Sequence, residues 1–184
     1  MLSPSVLSAQ DFAELKYSLP EAGRWHELHD GQTVLLSAPD DIHGTIVLNL
    51  SRALAEWFRK QPRQARGYAC HDLGLHVHSE PDTVYVPAMS IFREGKPFGQ
   101  FDNVIATEIP RIVIDVASSH DRRRDMRLRT TAYMKYGVEC VWVINPETRR
   151  SFIHTTEGSH EVKDGILRNP AGDLAVPLSA IFGD

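Results

Sequence analysis

Asp115 is the residue of this chain whose surroundings say most about chemistry. It stands in Arg111-Ile112-Val113-Ile114-Asp115-Val116-Ala117, followed at once by Ser118-Ser119 and an arginine-rich stretch. Aliphatic and β-branched residues over that length predict a buried strand. Strand alternation puts Val113, Asp115 and Ala117 on one face and Ile112, Ile114 and Val116 on the other. An ionised carboxylate in such a strand is costly unless it is paired, hydrogen-bonded or bound to a metal. Asp115 is therefore expected to face a pocket at the C-terminal edge of a sheet. The alternative is a capping or turn aspartate held by nearby backbone amides.

Arg122, Arg123, Arg124, Arg127 and Arg129 follow closely and form a basic cluster beside Asp115. Guanidinium groups so placed can contact the phosphates of a nucleic-acid backbone. The same cluster also suits a solvated helix start laced by Asp121 and Asp125, with Asp125 and Arg129 spaced for an i,i+4 pair. His76 and His78 share a strand face, but no third ligand follows at a recognisable spacing, and zinc requires three or four; exposed strand histidines are the simpler expectation. His43, beside Gly44 at a helix start, reads as a local hydrogen-bonding residue. Cys140, mid-strand among Val138, Val141 and Trp142, has no evident base to make it a nucleophile. With Cys70 it is expected to be a buried thiol of a cytoplasmic protein.

The elements that must position these residues follow from periodicity and punctuation. Ser8 and Asp11 form a capping-box pattern that opens a helix running to about residue 17. Residues 25–28 and 33–36 read as strands turned by Asp30-Gly31. Ile42, Ile46, Leu50, Leu54, Trp57 and Phe58 recur at helical spacing between Asp40 or Asp41 and Lys60, and Pro62 stops that helix. Short strands are expected at 67–71, 75–78, 83–86 and 89–92. A loop marked by Gly95, Pro97 and Gly99 comes next. After the Asp115 strand come a helix over about 123–136, ended by Gly137, and an apolar strand over 138–144 closed by Asn145-Pro146. Asp164-Gly165 reads as a hairpin turn in a weakly alternating tail. Strands flanked by two long helices imply an α/β sandwich with a central mixed sheet and an antiparallel edge.

The chain has 184 residues, enough for a single domain over 1–184 with a substantial core. A net charge of −4 argues against a generally basic nucleic-acid protein while allowing a local basic patch. No apolar run approaches the length of a membrane span, and the first residues lack the charged and apolar regions of a signal peptide. No membrane partner is expected.

Taken together, several segments resemble the Uma-two family of restriction-endonuclease-like proteins, a branch of the PD-(D/E)XK nuclease superfamily. Trp25-His26-Glu27-Leu28-His29-Asp30-Gly31 is similar to the family's opening hairpin, and His43 to the histidine that heads its first long helix. The stretch from Asp82 through Val86-Pro87-Ala88-Met89 is similar to its "PD" strand. Residues 110–118 are similar to its acidic strand. Residues 125–133, Gly137-Val138 and Val141-Trp142-Val143-Ile144-Asn145-Pro146 are similar to its closing helix and strand. The resemblance implies a restriction-endonuclease-like α/β sandwich, a central mixed sheet flanked by helices, with an N-terminal hairpin extension.

It also implies phosphodiester hydrolysis of DNA assisted by Mg²⁺ or Mn²⁺, a hard cation held by carboxylates. Glu27 and Asp115 would be metal ligands and catalytic acids. Arg129 would stand where the family has a lysine that orients water, and Ala88 at a third ligand position. Homo-oligomerisation is a further expectation by resemblance. Three departures bear on activity. Ala88 offers no ligand atom where the family has an aspartate, and Pro81-Asp82 lies six residues too early to replace it. Asp115 is one methylene shorter than glutamate. Arg129 keeps the charge of lysine but not its geometry or tunable pKa. The expectation is a Mg²⁺-dependent endonuclease with weak or no activity, its metal retained or lost with the third ligand, binding DNA weakly through Arg122, Arg123, Arg124 and Arg127. The alternative is a non-catalytic nucleic-acid-binding or protein-interaction module that retains the nuclease fold.

Overall fold

A computed structural model describes residues 6–62, 67–93, 100, 103–118 and 120–183, with no account of the side chains of His120, Asp121 and Arg122. The loop marks Gly95, Pro97 and Gly99, Ser119, the Arg122 side chain and residues 1–5 thus lie outside the described residues.

The chain runs α1 (Ala9–Leu15), β1 (His26–His29), β2 (Gln32–Leu35), α2 (Asp41–Lys60), β3 (Tyr68–His71), β4 (Leu75–His78), β5 (Thr83–Tyr85) and β6 (Met89–Phe92). It continues β7 (Ile112–Val116), α3 (His120–Tyr136), β8 (Cys140–Asn145), β9 (Arg150–Thr155), β10 (Gly158–Glu161), β11 (Ile166–Arg168), β12 (Ala175–Pro177) and α4 (Leu178–Phe182). Two short 3₁₀ turns separate α1 from β1.

Local chemistry accounts for the starts of the first two helices. The Ser8 hydroxyl accepts the Asp11 amide and the Asp11 carboxylate accepts the Ser8 amide, the reciprocal pattern of a capping box. Asp40 caps α2 by accepting the His43 amide at 2.7 Å. The Asp30-Gly31 turn has positive φ at both central residues, +49° and +75°, which matches the twist of the β1–β2 hairpin. A Cβ on Gly31 would also fall 2.2 Å from Val6.

The central sheet has the order β10-β9-β8-β7-β6-β3. β7 and β8 are parallel, and the other pairs are antiparallel. The parallel pair is joined by α3, which makes a β-α-β crossover. One face carries Met89, Ile91, Ile112, Ile114, Trp142, Ile144 and Ile153, packed beneath Ile46, Leu50 and Leu54 of α2 and the C-terminal elements. The other carries Val113, Val141, Val143 and Ala117, packed with Tyr133 of α3 and Leu75 and Val77 of β4. The alternation expected for β7 is therefore realised.

The N-terminal hairpin joins a second sheet: β1 pairs with β5, giving the order β2-β1-β5-β4. One expectation changes. Asp164-Gly165 is not a hairpin turn, because β10 and β11 do not pair; the hairpins of the tail are β9–β10 and β11–β12. A Gly at +77° marks only a bend there, so the turn chemistry is local and does not dictate the partner strands.

Candidate active site

Glu27 is in the middle of β1, Asp115 is one residue before the end of β7, and Arg129 is halfway along α3. The three meet. Arg129 Nε donates to Asp115 Oδ2 at 2.7 Å, and Arg129 Nη1 donates to both oxygens of Glu27 at 2.9 and 2.7 Å. Arg129 Nη2 donates to the Tyr133 hydroxyl at 2.9 Å, and that hydroxyl donates to Asp115 Oδ2 at 3.2 Å. The Val86 amide donates to Glu27 Oε1 at 2.7 Å. His29 Nε2 lies 2.9 Å from Glu27 Oε2. The Tyr85 ring closes the assembly, its centroid 4.7 Å from the centre of the guanidinium.

The cluster is sealed. Glu27 and Asp115 are 0 % exposed and Arg129 2 %. The pocket expected in front of Asp115 is therefore corrected to a cluster closed to the surface. Burial opposes the charge on Arg129, but the carboxylates of Asp115 and Glu27 outweigh it and hold the guanidinium ionised well above its usual range. Two carboxylates and one guanidinium leave one formal negative charge, faced by the Val86 amide, the Tyr133 hydroxyl and the His29 ring. Such an assembly is costly to build, and it is tolerated when every donor and acceptor is matched.

Ala88 does not complete the set. It sits at a bend one residue before β6, where strand alternation is interrupted, is 3 % exposed, and packs with the apolar residues beneath α2. Val113, Ala117 and Tyr133 around Asp115 belong to the opposite packing group. The expected convergence of four residues thus holds for three. Among the described residues no group of three or more His, Cys, Asp or Glu is placed to hold a metal ion. A hard cation needs several free oxygens; here both Glu27 oxygens and Asp115 Oδ2 accept from Arg129, and the third position is a methyl group. The residues present do not fit Mg²⁺ or Mn²⁺.

The arginine cluster divides. Arg123 donates to Glu147 at 2.9 Å and to the Ser118 carbonyl at 3.2 Å. Arg124 donates to both oxygens of Asp125. The expected Asp125–Arg129 pair is replaced by these contacts, because Arg129 is drawn inward. Arg127 is exposed and shows no ion pair among the described residues.

The histidines are accounted for locally. His43 Nδ1 bonds the Ser118 hydroxyl at 2.8 Å, tying the start of α2 to the end of β7. His78 Nδ1 bonds the Pro81 carbonyl. His76 Nε2 stands 3.1 Å from Asp82, within ion-pair distance though not aligned as a hydrogen bond. Asp82, which falls too early for the "PD" position, plays a structural part. It accepts the Ala9 amide at 2.6 Å and anchors α1 to the second sheet. Cys140 is fully buried, and burial pushes its thiol up to about 12.

Tyr133, Tyr85, Val86 and His29 complete the site without having stood out in the sequence as parts of it. A signal for Tyr133 exists in the spacing of four between Asp125, Arg129 and Tyr133, a stripe that faces one neighbour on a helix. Val86 acts through its backbone and has no side-chain signature.

The mixed α/β fold, with a six-stranded central sheet, a four-stranded sheet and the two-stranded β11–β12 ribbon, has a solved counterpart. It matches the crystal structure of a putative nuclease belonging to DUF820 from Anabaena variabilis with a TM-score of 0.73 at 18 % identity, over 96 % of this chain and 97 % of that one. The model of the Uma2 family, described as "Putative restriction endonuclease", matches residues 9–178. The chain belongs to the Uma2 family. No curated protein matches it. No helix among the described residues is long and apolar enough to cross a membrane.

Proposed function

We propose that this chain is a nuclease-fold protein in which an internal ion-pair cluster has taken the place of the metal centre. It binds nucleic acid without hydrolysing it through a divalent cation. The observation that carries this reading is the Arg129 guanidinium, bonded at once to Glu27 and Asp115 in a site closed to solvent. A cation entering there would have to displace a charged group with matched donors and then find only two carboxylates. Ala88 and the burial of all three residues point the same way. Membership of a family described as restriction endonucleases, and the exposed arginines at the start of α3, support nucleic acid as the partner. Backbone contacts of that kind give non-specific affinities of roughly 10⁻⁴–10⁻⁶ M at physiological salt.

The test combines plasmid nicking with duplex retardation. With Mg²⁺ or Mn²⁺ the protein is expected to nick supercoiled DNA no faster than a mock preparation. It is also expected to retard duplex DNA with a salt slope that flattens when Arg122, Arg123, Arg124 and Arg127 are replaced by alanine. Metal-stimulated nicking that disappears in a folded Glu27→Gln variant would overturn the proposal, and so would the absence of any retardation at low salt.

A further inference from the structure

On the side of α3 turned away from the acidic cluster lies an open groove of about 370 Å³ between the helix and strands β8 and β9. That volume is within the range of small-molecule sites. Its helix wall is the stripe Arg123, Arg127 and Thr131, spaced by four, with Met126 beside it. Its sheet wall holds Asn145, Phe152 and His154. The stripe of Asp125, Arg129 and Tyr133 that meets the buried cluster is a different face of the same helix.

The chemistry of the groove is one-sided. Among the described residues two guanidiniums line it and no carboxylate does, in a chain whose net charge is −4. Glu147, which bonds Arg123, stands outside the lining and is highly exposed, so that contact exchanges readily for another anion. Arg127 is exposed and shows no ion pair among the described residues. The Thr131 hydroxyl already donates to the Arg127 carbonyl and offers only its lone pairs. His154 is partly buried; burial and the nearby His160 both disfavour its protonated form, which leaves it a neutral hydrogen-bonding group. Between these polar groups lie Met126 and Phe152, both packed against the core, with the Arg150 guanidinium 5.5 Å from the Phe152 ring centre.

We propose that this groove binds a phosphomonoester carrying a flat, largely apolar body, of the mononucleotide kind. The phosphate sits on Arg123 and Arg127, and the ring lies against Phe152 and Met126. Bidentate guanidinium contacts suit phosphate, and an aromatic face suits a base of any identity. The ligand is either a free mononucleotide or the 5′-phosphorylated terminal nucleotide of a nucleic-acid strand; the chemistry recognised is the same. The proposal stands whether or not the protein hydrolyses phosphodiesters.

The test is calorimetric titration of the full chain with adenosine 5′-monophosphate, adenosine, inorganic phosphate and a short 5′-phosphorylated single strand beside its unphosphorylated twin. The monophosphate is expected to bind with a Kd of about 1 mM or tighter. Adenosine and inorganic phosphate should each bind at least about tenfold more weakly, because each lacks half of the recognised group. Arg127→Ala is expected to weaken binding by about tenfold or more. Arg52→Ala, an exposed position on α2, serves as the control and should leave it unchanged. Binding of the phosphorylated strand at least about tenfold tighter than its unphosphorylated twin, without binding of the free monophosphate and sensitive to Arg127→Ala, would assign the site to a strand end; equal binding of the two strands would overturn the proposal. Failure of both phosphorylated probes to bind, equal binding of inorganic phosphate, or an Arg127→Ala variant that binds as the parent does would overturn the proposal. Arg123 and Arg127 also belong to the set tested by duplex retardation, so the two readings are separated by the free monophosphate, which carries no nucleic-acid backbone: its binding tests the groove alone.

Discussion

Asp115 and Arg129 are fourteen residues apart in the chain and 2.7 Å apart in space, joined by a hydrogen bond between Oδ2 and Nε in a fully buried site. The β-α-β crossover makes this contact possible: β7 delivers the carboxylate and α3 returns along the sheet to cover it. Glu27 reaches the same guanidinium from a different sheet, 102 residues earlier. One cation thus ties the hairpin sheet, the central sheet and the crossover helix together.

Removing that cation should be severe. Arg129→Met leaves two buried carboxylates without their partner, and the expected loss is about 3–5 kcal/mol in urea denaturation. Arg129→Lys keeps the charge but cannot reach Glu27, Asp115 and Tyr133 at once, so it should fall between parent and Met variant. A lysine variant as stable as the parent would show that charge alone, without the fork geometry, holds the cluster.

Tyr133→Phe removes a hydroxyl that accepts from Arg129 and donates to Asp115. The expected cost is about 1–3 kcal/mol, read as a lower urea midpoint with an unchanged slope. The effect should be strongly non-additive with Arg129→Met, because the two share one network.

Ala88→Asp should not restore a metal site. Its side chain is 3 % exposed and lies among apolar residues, so a carboxylate there is expected to cost about 2 kcal/mol or more. Mg²⁺ at millimolar concentration should not recover the loss. Recovery by Mg²⁺, measured as a rise in melting temperature absent from the parent, would show that the new carboxylate reaches Glu27 and Asp115 after all.

Acid sensitivity has a named contributor in Asp82. The Ala9 amide holds its carboxyl below the ordinary carboxylate value; burial opposes this and His76 assists it. A carboxyl depressed in the folded state stabilises the fold above its unfolded pKa, and that stability is lost as pH falls through the folded value. Asp82→Asn should therefore be less stable than the parent by up to about 1 kcal/mol at neutral pH, with the gap closing below about pH 4. Urea midpoints across that range measure it. A gap that persists unchanged in acid would assign the effect to packing.

Cys140 should resist thiol reagents. It is fully buried and its thiol is pushed up to about 12, so the native protein at mildly alkaline pH should show at most one reactive thiol, Cys70, and two after unfolding in urea.

Much of this organisation is legible in the sequence where the cause is local. The capping box of Ser8 and Asp11, the helix of Ile46, Leu50 and Leu54, the Asp30-Gly31 turn and the alternation around Asp115 depend on neighbours within a few residues, and each is realised. The resemblance to the Uma2 family named Glu27, Asp115 and Arg129, and these three do meet. Tertiary structure decided what the meeting means. Whether Arg129 turns toward Asp125 on its own helix or inward between two carboxylates depends on how α3 packs against both sheets, and no spacing encodes that choice. The same holds for Ala88, which is buried among the apolar residues beneath α2. It holds also for Asp164-Gly165, whose turn chemistry is present but whose flanking strands find other partners. Side-chain direction at a buried site is set by the surfaces that exclude water from it, and those surfaces come from segments far apart in the chain.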